Sequence, residues 1–181
     1  RVVDATASAD SPDNRYQDVC RKSPRTSLSA PYPASVPRSE PHVLLDATAV
    51  PADRGGVGRY VDSLLAALDA DGTKLTVACQ PRDARLFNGI APNARIIPAL
   101  EESVATRTAR LTWEQTTLPR LVRRVGADVL HSPHYTTPLL NQAASVVTLH
   151  DATFFTDSKL HSPVKAKFFR AWTRTALHRA T

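Results

Sequence analysis

From His42 onward, short apolar runs alternate with longer stripes of helical period. The runs at 42–49, 74–79, 94–97, 127–131 and 145–150 have the length and β-branched content of buried strands. Between the first two, Val57, Tyr60, Val61, Leu64, Leu65 and Leu68 recur at helical spacing, and Asp71-Gly72 marks the stop. A second stripe starts near Thr106 and passes Leu111 and Trp113. It meets Pro119, predicted to start a new segment or kink the helix, and resumes with Leu121, Val122 and Val125. A last helix is predicted from Pro163 to Arg179. Strands joined by helices predict an α/β fold: a Rossmann-like, doubly wound, mostly parallel sheet with helices on both faces.

Residues 1–41 break this pattern. They are rich in proline and serine, mix charges and lack an apolar period, which predicts a disordered leader or a stretch outside the functional product. The chain has 181 residues, 42% of them hydrophobic, enough for the core of one domain and too few for two full α/β domains. It starts at Arg1, contains no methionine, and its last helix feeds no further strand, so a fragment, incomplete at its C-terminus, is expected. The net charge of +6 permits contact with phosphates or anionic surfaces without choosing between them. Arg107, Arg110, Arg120, Arg123 and Arg124 make the second helix basic, either as a solvated face or as a peripheral contact with anionic membrane at the inner face. Cys20 and Cys79 match no metal or redox spacing. With neither a signal-peptide core nor a membrane-spanning run, the sequence reads as cytoplasmic.

The candidate chemistry gathers at strand ends. Gly55-Gly56-Val57-Gly58 reads as a glycine-rich loop before a helix, where free backbone N–H groups and a partial positive charge favour a phosphate. Its spacing fits neither the dinucleotide fingerprint nor a P-loop, which weakens a dehydrogenase or epimerase reading, and the glycines alone would also serve a tight turn. His150 and Asp151 lie where a strand passes into its loop, the edge at which open α/β sheets bind ligands. There a histidine can act as a base, position a hydroxyl or cap the strand, and Asp151 can orient it or cap the next turn. His131 and His134 reach the same edge, but Pro133 argues for a loop and no nearby carboxylate or cysteine completes a metal set in the sequence; no metal or other cofactor is expected. No G-x-S-x-G elbow and no nucleic-acid module is present.

Taken in order, Gly55-Gly56-Val57-Gly58-Arg59-Tyr60, Trp113-Glu114-Gln115 with Leu118-Pro119, Gly126 through Pro133, Val147 through Asp151 and the closing Phe168-Phe169-Arg170 resemble the first half of a retaining glycosyltransferase of family 4, over residues 42–181. The resemblance implies one half of a GT-B architecture, the N-terminal, acceptor-side domain, with the C-terminal domain missing. It implies transfer of a hexose, with mannose as the suggested sugar, from a nucleotide diphosphate sugar to the hydroxyl of a glycan or lipid-linked acceptor, with retention and without a required metal. Gly55, Gly56, Val57 and Gly58 would approach the donor diphosphate, His150 and Asp151 would work at the reacting centre, and Arg59, Tyr60 and His131 would lie on the acceptor and sugar side. Without the second half, residues 1–181 alone are expected to turn over negligibly. The contrasting reading is a non-catalytic sugar- or acceptor-binding remnant or partner protein.

Overall fold

The computed structural model describes residues 40–150 and 163–179, with side chains of the last helix described over 167–178. They fall in one compact unit, Arg38–Thr181. The order is β1 (Val43–Asp46), α1 (Gly55–Ala70), β2 (Leu75–Cys79), a 3-10 turn (Pro81–Asp83), α2 (Ala84–Ile90), β3 (Arg95–Pro98), α3 (Glu101–Val104), α4 (Arg107–Val125), β4 (Val129–Ser132), β5 (Ala144–Val147) and α5 (Pro163–Arg179). The strands form a five-stranded sheet in the order β3-β2-β1-β4-β5. Every pairing is parallel, with Leu45 opposite Val77 on one side and His131 on the other. The chain therefore winds outward in both directions from β1, as the alternation of strands and helices predicts.

Period-2 alternation divides the core between the two faces of the sheet. Leu45 and Val77 join Val61 and Leu65 of α1 and Phe87 of α2 on one face. Leu44, Ala78 and Leu130 join Trp113, Leu118, Leu121 and Val122 of α4 on the other. Each fully buried aliphatic side chain stabilises the fold by about 1.5–3 kcal/mol. This packing carries α4 through Pro119: the helix runs as one element from Arg107 to Val125, and no new segment starts at the proline. The proline removes one backbone donor, but Leu118 and Leu121 on either side of it are buried against the sheet, and the Arg120 guanidinium donates to the Thr116 carbonyl at 2.9 Å. Thr106 caps the start by accepting from the Ala109 N–H at 3.1 Å, and Gly126, at φ 68°, closes the end in the left-handed conformation.

The strands are shorter than expected where side chains turn the backbone out of the sheet. After β1, the Asp46 carboxylate accepts from both the N–H and the hydroxyl of Thr48, which ends the expected 42–49 strand at Asp46. At the other end, β5 stops at Val147; the Thr148 N–H still donates to the Ser132 carbonyl at 3.0 Å, and no further ladder bond follows it among the described residues. The expected leader and Asp151 lie outside the described residues.

Candidate functional site

Because all strands run the same way, the β1–α1, β4 and β5 exits share one edge. The glycines do not form a loop ahead of the helix: Gly55 begins α1, and Gly55 to Gly58 are its first turn. Gly55 donates to Asp53 and Gly58 to Arg54, so the N–H groups of Gly56 and Val57 have no partner among the described residues. No acidic residue lies in this turn. Gly55 and Gly56 are exposed, whereas Gly58 is buried.

Arg54, just before this turn, carried no signal in the sequence. It takes a left-handed φ of 58°, unusual outside glycine. Its guanidinium pairs with Asp62 of α1 and, at 3.0 Å, with Asp83 of the 3-10 turn, and lies over the Phe87 ring at 5.3 Å. The side chain folds back over α1, so a Cβ on Gly58 would stand 2.5 Å from the Arg54 Cβ. Gly58 makes room for this clamp, and the clamp fixes the start of the helix.

Tyr60, one turn on, reaches the histidines. Its hydroxyl lies 3.2 Å from the Thr148 hydroxyl, which is also 2.9 Å from His131 Nε2. The Tyr60 ring meets the His150 ring edge to face at 5.2 Å. His150 Nε2 donates to the Pro133 carbonyl at 3.0 Å, because a carbonyl only accepts. No described residue engages the other ring nitrogen, Nδ1. Burial, and then the neighbouring His134, hold the His131 pKa below its usual 6.5, so this ring is neutral at pH 7. Tyr60, His131, Thr148 and His150 are therefore one cluster. Arg59 is exposed and makes no described contact with it.

Behind the cluster lies a buried polar network that the sequence concealed. His134 Nε2 meets Asp46 at 3.1 Å, and its Nδ1 meets the Thr136 carbonyl. The Thr136 hydroxyl donates to Glu114 at 2.5 Å, Arg110 pairs with Glu114 at 2.9 Å, and Gln115 links Glu114 to the backbone of Thr137 and Leu139. This corrects two readings. Carboxylates do stand beside His134: ligand atoms of Asp46, Glu114 and His134 lie within 4.8 Å of one another. Their oxygens, however, are already taken by Thr48, Arg110, Thr136 and Gln115, the donor pattern of a self-satisfied network. Arg110 also leaves the solvated basic face and turns inward to Glu114, while Arg120, Arg123 and Arg124 stay exposed. Burial by itself would raise the Asp46 carboxyl, but the His134 hydrogen bond and charge, helped by Arg110 and Thr48, hold it below 3.8. Cys79 is buried, which pushes its thiol up to about 12 and leaves it inert as a nucleophile.

The signature order of glycine turn, Trp113-Glu114-Gln115 and the two histidine strand ends thus maps onto one fold. The sequence profile of Glycosyltransferase Family 4 matches residues 54–181, more than half of the chain. The chain belongs to glycosyltransferase family 4. No individual curated protein matches it at a significant level. The family 4 assignment gives glycosyl transfer, with a sugar donor and an acceptor, as the chemistry of the domain. Among the described residues, no helix of the domain is long and apolar enough to cross a membrane.

Proposed function

We propose that this family 4 domain serves a retaining hexosyl transfer from a nucleotide diphosphate sugar, with mannose as the leading candidate sugar. The observation that carries the reading is the junction of Tyr60, from the glycine-turn helix, with His131, Thr148 and His150 at the strand ends. The free N–H groups of Gly56 and Val57 suit the donor diphosphate, and the helix start adds partial positive charge. His150 Nδ1 suits a sugar hydroxyl, with the ring held by Pro133 and Tyr60. In the reaction, the bond from the anomeric carbon to the diphosphate oxygen breaks and the acceptor oxygen bonds to that carbon on the same face. The acceptor proton passes to the leaving diphosphate, giving glycosylated acceptor and free nucleoside diphosphate. Stabilising the departing diphosphate and the oxocarbenium-like sugar is the main catalytic work.

The test is a panel of nucleotide sugars offered to the enzyme as its source cells make it, with nucleoside diphosphate release and anomeric configuration read by NMR. Retained configuration is expected, and His150→Ala is expected to lower kcat roughly 100-fold or more. Inversion, or an unchanged kcat in His150→Ala, would overturn the mechanism. Sugar binding without any turnover would favour the non-catalytic binding reading.

A further inference from the structure

Two adjoining clefts open beside the β1–α1 loop, and both are lined by Ala49, Arg107 and Arg110. One, of about 240 Å³, also takes in Thr48, Gln80, Arg82 and Thr106. The other, of about 200 Å³, runs on to Tyr135, Thr136, Phe168 and Phe169. Among the described residues no carboxylate lines either cleft. Nearby charges nearly cancel: Arg54 meets Asp62 and Asp83, Arg82 lies 3.7 Å from Asp83, and Arg110 meets Glu114. Arg107 is the exception. It is exposed, lines both clefts and has no carboxylate partner among the described residues.

Its position is costly. Arg107 is the first residue of α4, where the helix dipole disfavours a cation, and no acidic residue in the first turn offsets it. Arg82, held by the Val50 carbonyl at 2.8 Å and by Gln80, lines the first cleft together with Arg107. The polar cleft carries the charge, and the aromatic cleft next to it offers flat apolar surface.

We propose that this double cleft binds an anionic group, phosphate or carboxylate, and that it is borne by the acceptor, whose uncharged part lies along Tyr135, Phe168 and Phe169. The cleft is distinct from the glycine turn: none of Gly55 to Gly58 lines it. Assigning the anion to the acceptor rests on the transferase reading; anion binding at Arg107 does not.

The test is titration of the chain with inorganic phosphate, acetate and inorganic pyrophosphate against chloride at matched ionic strength, followed by amide and arginine Nε–H NMR. Phosphate or acetate is expected to move the signals of Arg107, Thr108 and Ala109 saturably, and whichever binds tighter names the acceptor's group. Arg107→Gln is expected to weaken binding roughly tenfold and Arg107→Lys less, with a melting curve in Arg107→Gln that is unchanged or slightly raised, because the side chain is exposed, has no carboxylate partner among the described residues and opposes the helix dipole. Shifts at Arg107 no larger than those from chloride, or wild-type affinity in Arg107→Gln, would overturn the proposal. Pyrophosphate that moves Gly56 and Arg107 together, and loses both on Arg107→Gln, would give the cleft to the donor and overturn the acceptor assignment. Saturable phosphate binding at Arg107 alongside a failed nucleotide-sugar panel would keep the anion cleft and remove the transferase reading.

Discussion

Gly56 and Gly58 lie in the same helical turn, yet their surroundings separate a ligand role from a packing role. A Cβ on Gly58 would meet Arg54 at 2.5 Å, while one on Gly56 meets nothing within 4 Å. Gly58→Ala is therefore expected to cost about 1–3 kcal/mol in urea unfolding, because the Arg54 clamp has to shift. Gly56→Ala is expected to be neutral or to stabilise by about 0.5–1 kcal/mol, since alanine is the better helix former. A fall in donor affinity in Gly56→Ala without loss of stability would then report close approach of the diphosphate. Unchanged affinity would place the donor elsewhere. In the sequence the glycines looked alike, because the difference comes from the φ of Arg54 and the fold of its side chain.

At the scale of the element, α4 shows how packing overrides local signals. Pro119 argued for a break, but a continuous buried face on both sides of it outweighs the lost backbone donor. The same helix carries Glu114 inward, fully buried between Arg110, Thr136 and Gln115. Glu114→Gln leaves the Arg110 charge without its counterion and is expected to destabilise by about 3–5 kcal/mol. The double variant Glu114→Gln with Arg110→Met should recover part of that loss, as thermal unfolding of the single and double variants will show. The motif Trp113-Glu114-Gln115 stood out in the sequence. Its partners Thr136, Thr137 and Leu139 did not, being more than 20 residues away and brought close only by the β1–β4 pairing.

For the whole molecule, buried Asp46 and half-buried His131 tie stability to pH in the same direction. Folding holds the Asp46 carboxyl below 3.8, so its contribution is present above that value and lost as pH falls through the lowered folded one. Folding also holds His131 below 6.5, so the unfolded chain takes up its proton first and stability falls as pH drops below 6.5. Urea midpoints measured between pH 7 and pH 3 should decline in two steps. His131→Asn should flatten the upper step and Asp46→Asn the lower one, and a midpoint independent of pH would contradict both assignments. The hydrophobic pattern by itself determined the parallel α/β sheet, the helices that cover it and the strand ends on which His131 and His150 sit, because periodicity records which side of each element is buried. Tertiary structure alone decided which of those ends meet. The joining of Tyr60 to Thr148, of His134 to Asp46, and the convergence of Arg82 with Arg107 depend on the strand order β3-β2-β1-β4-β5, which places side chains from distant segments within hydrogen-bonding or cleft-sharing distance.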